Sequence, residues 1–133
     1  MVFLLDTDVC IGAMRGAVNV VARLTAQPPG DCAVSTITAY ELHLGIQKCA
    51  RPAAEAAKLA KALERFRVLP FEETAAREAA EIRAVLERSG KSIGPYDLLI
   101  AGHARVLDLT LVTGNVTEFS RVLRLRIQDW TKA

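Results

Sequence analysis

Two carboxylates, Asp6 and Asp8, stand directly behind the apolar run at residues 2–5. Others recur at comparable places along the chain. Glu41 lies in a helical segment that follows "CAVS" (32–35), and Asp97 comes just after Gly94-Pro95. Asn115 and Glu118 follow "LTLVT" (109–113). Unpaired carboxylates gathered in one cleft repel each other and take up protons unless a cation joins them. A set of oxygen donors suits a hard divalent ion, Mg²⁺ or Mn²⁺. Such an ion activates water at neutral pH and stabilises charge on a phosphoryl oxygen, so the implied chemistry is metal-assisted phosphodiester hydrolysis. Each position also has a simpler reading. Asp6 suits the N-cap of a following helix, and Asp8 suits a solvated acid at its start. Thr38-x-x-Glu41 and Asn115-x-x-Glu118 match capping boxes, and Asp97 is a favourable first-turn acid. Glu41 shares a helical face with Ile37 and Leu44, and an acid on an apolar stripe needs a partner.

For these residues to meet, the elements between them must return to one edge. Apolar runs at 2–5, 32–35, 67–70 and 109–113 read as strands, with a short last strand near 125–127. Helical patterns cover roughly 7–15, 17–26, 36–49, 52–66 and 72–89, and another begins after Pro95. Pro28-Pro29-Gly30 and Ser89-Gly90 break the chain. Strands alternating with helices predict an α/β fold, a three-layer α/β/α arrangement around a central parallel sheet. In such a sheet, reactive groups collect beyond the carboxyl ends of the strands. At 133 residues the chain is expected to be a single domain, 1–133.

Composition narrows the function classes. Hydrophobic residues make up 51% and charged residues 24%, as in ordinary globular proteins. A net charge of +2 permits nucleic-acid binding without arguing for it. Aromatic residues at 5% argue against a stacking platform of the kind single-strand binders use. Cys10, Cys32 and Cys49 show no Cys-x-x-Cys spacing, which predicts free thiols in a reducing compartment. His43 and the cysteines read as packing residues. His103 follows Asp97 by six positions and should point away from it. No apolar run approaches the ~18 residues of a membrane span. Asp6 interrupts the first apolar run, and no basic leader precedes it, so a signal peptide is not expected and the location expected is cytoplasmic.

The ordered set "LLDTD", "ITAYELHLG", "IGPYDLLIAGHA" and "LVTGNVTEF" resembles PIN-domain proteins, specifically the VapC-type toxins of bacterial toxin–antitoxin modules. The resemblance runs from residue 3 to "RIQDW" (126–130). It implies an Mg²⁺- or Mn²⁺-dependent endoribonuclease toxin acting on tRNA or another structured RNA and inhibiting translation. It further implies a homodimer, neutralised by a VapB-type antitoxin. By motif position Asp6 and Asp97 are the metal acids, and Glu41 reaches the waters. Thr113 orients the site from behind the acids. Many members carry a fourth acid where this chain has Asn115; either Asn115, through its amide oxygen, or Glu118 takes that role, and Asp8 occupies a position often held by Asn.

Candidate phosphate binders are Arg15, Lys91, Arg121, Arg124 and Arg126. Arg51, Lys58, Lys61 and Arg65 read as the solvated outer face of their helix. The Ala- and Leu-rich helices at 36–49 and 52–66 form a groove for an amphipathic segment, the expected antitoxin site. Two rival classes remain open. A non-catalytic α/β binding module predicts full function after Asp6→Asn. A small phosphatase with Asp6 as nucleophile needs a downstream acidic pair, which "LTLVTGN" does not offer.

Overall fold

The computed structural model describes residues 1–28 and 30–133, so Pro29 of the Pro28-Pro29-Gly30 break lies outside the described residues. Short apolar runs form the strands β1 (Phe3–Leu5), β2 (Cys32–Ser35), β3 (Arg67–Leu69), β4 (Thr110–Val112) and β5 (Ile127–Gln128). They pair in the order β3-β2-β1-β4-β5, and every pairing is parallel. The connecting helices are α1 (Thr7–Met14), α2 (Val18–Thr25), α3 (Thr36–Lys48), α4 (Pro52–Leu63), α5 (Glu73–Arg88), α6 (Pro95–Val106) and the single turn α7 (Val116–Phe119). Pro52 and Pro95 each open a helix, where a missing backbone N–H costs nothing. Val2 is exposed and stays outside β1. The exposed Arg67 and Val68 mark β3 as an edge strand.

Alternation along the strands sorts the core into two layers. Leu4, Ala33 and Leu111 face α5 and α6, meeting Ile82, Leu98 and Ile100. Leu5, Val34 and Val112 face the opposite way, toward Val9 of α1, Leu42 of α3 and Leu59 of α4. Helices therefore cover both faces, as the α/β/α reading predicts. Trp130 closes the second layer from the C-terminal segment. It is fully buried, packs edge-on against Phe3 at 5.0 Å and carries the Arg23 guanidinium over its ring.

The tightest helix contact lies in the first layer. A Cβ on Gly102 of α6 would stand 2.6 Å from the backbone nitrogen of Ala79 in α5 and 2.7 Å from its Cα. Backbone must then move, so Gly102→Ala is expected to cost about 1–3 kcal/mol of stability. Gly45 in α3 has nothing within 4 Å of the same position. Gly45→Ala should therefore stabilise by up to about 1 kcal/mol through helix propensity. Thermal unfolding of the two variants checks this opposition of sign; equal shifts would refute the packing account.

The strand order also fixes where a site can form. From β1 the chain builds β2 and β3 on one side, then returns to place β4 on the other. The reversal opens a crevice between the carboxyl ends of β1 and β4, the place where open α/β sheets bind ligands.

Candidate active site

Asp6 sits at that crevice, one residue past β1. Its N–H donates to Val112 O at 2.9 Å, which extends the β1–β4 ladder, and the Leu5–Val112 register brings Asp6 beside Thr113. The carboxylate does two things. Oδ1 accepts the Thr7 N–H at 2.7 Å and caps α1, while Oδ2 accepts the Thr113 hydroxyl at 2.7 Å. The cap and site readings of Asp6 are thus compatible in one geometry. Thr113 is fully buried, and its Oγ1 accepts the Asn115 N–H at 3.0 Å, leaving its own hydrogen directed at Asp6.

Glu41 arrives on α3 from the layer of α1 to α4. Its Oε1 accepts the Thr7 hydroxyl at 2.8 Å, and Thr7 Oγ1 lies 3.3 Å from Thr38 Oγ1. The Thr38-x-x-Glu41 capping box does not form. Ser35 caps α3 by accepting the Ile37 N–H, Thr38 is fully buried, and Glu41 turns to Thr7. Thr7 was not among the residues singled out from sequence; a short hydroxyl between two acids, at the first position of a helix, is the signal that marks it.

Asp97 arrives on the first turn of α6, from the other layer. Asn115 precedes α7, but its side chain makes no cap. Its Nδ2 donates to Glu118 Oε2 at 3.0 Å and lies 3.5 Å from Asp97 Oδ2. The amide thus bridges two neighbouring carboxylates instead of supplying a third. Asp8 stays exposed in the first turn of α1, though Asp6 feels its charge.

The electrostatics are one-sided. Burial pushes the Asp6 carboxyl above its ordinary range; hydrogen bonds from Thr113 and Thr7 pull it back, and repulsion from Asp8 and Glu41 adds to the rise. Burial, the Asp6 charge, and the neighbouring Glu118 and Glu41 carry Asp97 up to about 7. Among the described residues, none of Asp6, Glu41, Asp97 and Glu118 has a Lys or Arg within ion-pair distance. Nor do three His, Cys, Asp or Glu side chains close into a ligand cage there. The donor set still fits a hard cation: all its members are oxygens, and their charge is unbalanced. Any such ion would have to take part of its shell from water.

The basic candidates are scattered. Arg15 lines a cavity that also holds Glu41. Lys91 is exposed in the α5–α6 loop, and Arg121 donates to Ser92 O at 3.0 Å beside it. Arg124 lies 3.3 Å from Glu81 on α5. Arg126 pairs with Asp108 at 2.9 Å, at the amino-terminal end of β4 and so at the far edge of the sheet from Asp6.

Arg51, Lys58, Lys61 and Arg65 are all exposed, as the solvated-face reading expects. They line the depressions between α4 and the α1–α2 region. His103 points away from the acids, as expected: it is buried against Phe71, with Nδ1 2.8 Å from Ser35 Oγ, and burial lowers its pKa. His43 is exposed, which corrects its reading as a packing residue, because its side of α3 has no neighbour layer. Cys10 and Cys32 are buried, with burial holding the Cys32 thiol up at about 11; all three cysteines are free thiols.

Comparison with known proteins places this geometry. The PIN domain family matches residues 3–125. The tRNA(fMet)-specific endonuclease VapC of Shigella flexneri is 37% identical over 129 residues, 97% of this chain and 98% of that protein. Ribonuclease VapC2 of Haemophilus influenzae is 36% identical over 96% of this chain and 97% of its own. The crystal structure of DNA-bound VapBC from Salmonella typhimurium superposes with a TM-score of 0.93 at 36% identity, covering 98% of each chain. PIN-domain nucleases as a class work with divalent metal ions. The chain belongs to the PIN-domain family, among the VapC ribonucleases.

Proposed function

We propose that this chain is a metal-dependent endoribonuclease toxin that cleaves tRNA or another structured RNA, inhibits translation, and is neutralised by a VapB-type antitoxin. The observation that carries the reading is the set of carboxylates at the β1–β4 crevice, Asp6 buried and Glu41, Asp97 and Glu118 half-buried around it, none of them paired with a Lys or Arg among the described residues. We assign Asp6 and Asp97 as the direct ligands of Mg²⁺ or Mn²⁺. Few carboxylates and several retained waters is the pattern Mg²⁺ favours, in keeping with carboxylates that form no closed cage. When bound, the ion supplies Lewis-acid stabilisation of the phosphoryl oxygens and a more acidic water.

The chain's own groups do the rest. Thr113 fixes the rotamer of Asp6 by donating to Oδ2, an outer support of the kind that tunes metal sites. Glu41, held at the rim by Thr7, accepts a proton from the attacking water. Asn115 keeps Glu118 turned toward Asp97, so Glu118 stands in for the fourth acid of the family pattern.

The antitoxin reading rests on a cavity of about 760 Å³ between α1, α3 and α4. Its apolar floor includes Ile11, Met14, Leu42, Ile46 and Leu59, and Glu41 stands on its wall. An amphipathic segment seated there reaches the catalytic edge. The solved VapBC neighbours are complexes of this kind of pair. The unit we infer is the whole chain, 1–133, acting as a homodimer in the cytoplasm. No helix among the described residues is long and apolar enough to cross a membrane.

The test is incubation of antitoxin-free protein with total RNA and defined tRNAs in Mg²⁺, Mn²⁺ or a chelator. Discrete cleavage that requires the metal is expected. RNA left intact in every lane by folded protein would overturn the reading.

A further inference from the structure

The chain has one Trp, two Tyr and four Phe. Phe3, Phe119 and Trp130 are buried, and Phe66 and Phe71 are half-buried. The exposed aromatic side chains are both tyrosines, Tyr40 at 49% and Tyr96 at 41%. They are 40 and 96 in sequence yet touch each other: ring centroids are 5.6 Å apart with planes inclined at 51°, and the hydroxyls lie 3.3 Å apart. Each directly precedes a carboxylate of the crevice, Glu41 on α3 and Asp97 on α6. A lone exposed aromatic needs no explanation, but two that meet across separate helices beside the acids call for one.

We propose that Tyr40 and Tyr96 form a stacking shelf for an unpaired nucleobase next to the scissile phosphate. The inference rests on the ribonuclease reading of the same site and extends it to how the substrate is held. The Tyr96 hydroxyl donates to that of Tyr40, and both side chains remain open to solvent. Bases stack on aromatic faces whatever their sequence, whereas the carboxylates repel phosphate until a cation is bound. The shelf therefore supplies base contact at the point where backbone contact is weakest. The low aromatic content excludes an extended platform but is compatible with a single local pair. It also favours a substrate presenting a single-stranded loop, since a base inside a duplex has no free face.

The test pairs Tyr→Ala substitution with removal of one base from the RNA. Hairpin oligoribonucleotides carry an abasic nucleotide at each loop position in turn. Their binding to the Asp97→Asn protein is measured with and without Tyr40→Ala and Tyr96→Ala. At one position beside the cut, base removal should weaken binding to the parent about tenfold or more, and have little further effect on the Ala variants. Tyr40→Phe and Tyr96→Phe, which keep the rings, should stay within about twofold of the parent. Effects of base removal and Tyr→Ala that simply multiply, or no sensitive loop position, would overturn the shelf. So would a change of assembly state in the Ala variants at the assay concentration, which would make the pair an interface between copies of the chain. The ribonuclease reading fails by a different result: cleavage by the Asp97→Asn protein equal to that of the parent.

Discussion

Asp97→Asn is expected to slow RNA cleavage by at least about 1,000-fold at saturating metal, with the fold intact. The substitution keeps the size of the side chain and its place in the first turn of α6, but removes the negative charge that draws a cation to the crevice. In metal-free protein the same change should raise the melting temperature. It deletes a half-buried carboxyl crowded by Asp6, Glu118 and Glu41, and relief of that repulsion is a gain in stability. Asp6→Asn should lose activity to a similar degree. It differs in one respect: Asn can still accept the Thr7 N–H, but its Nδ2 would meet the Thr113 hydroxyl where Oδ2 now accepts from it. Single-turnover cleavage of a defined tRNA, together with thermal unfolding, reads both effects. A loss of less than about tenfold would remove Asp97 from the catalytic set.

Proton and metal should compete at Asp97, with a consequence for pH that runs against the usual carboxylate pattern. Its ordinary value is 3.8, and in the folded chain it stands at about 7. Between those values the native chain holds a proton that the unfolded chain has released. Stability of the metal-free protein therefore falls as pH rises through that window, and the penalty is complete above pH 7. A divalent ion must displace that proton. Its apparent affinity should rise about tenfold per unit from pH 5 to 7 and flatten above, two decades in all. Calorimetric titration with Mn²⁺ at several pH values measures the slope. A flat profile would mean that the ion does not contact this carboxyl.

Much of this organisation was legible in the residues, for definite reasons. An apolar run that stops at an Asp reads as a buried strand delivering its acid to an edge, and β1 with Asp6 is that. The helix at 73–88 carried strong periodicity because it buries one stripe, Ala75, Ala79, Ile82 and Leu86, whereas the helix at 95–106 buries Leu98 and every residue from Ile100 to Ala104. What could not be read was pairing between distant residues. Thr7 holding Glu41 joins positions 34 apart, and Asn115 reaching both Glu118 and Asp97 depends on how α7 sits against α6. Two capping boxes matched in sequence and failed in space, since a Thr or Asn with a tertiary partner is no longer available to its own helix. Charge was the least legible. The basic cluster at 121–126 is divided among Ser92, Glu81 and Asp108, whereas the basic residues around α4 turn toward a depression because α1 and α2 lie close by.

The acids reach the crevice from opposite sides of the sheet. Glu41 belongs to the layer built on α3 and α4, Asp97 to the layer built on α5 and α6, and the β1–β4 seam with Asp6 and Thr113 lies between them. A cation shared across that seam would act on the fold as a cross-link, adding to the Tyr40–Tyr96 contact that already joins α3 to α6. By mass action the gain grows with the logarithm of ion concentration over its dissociation constant. The divalent ion level around the protein would then set how firmly its two halves are fastened, as well as whether it cuts.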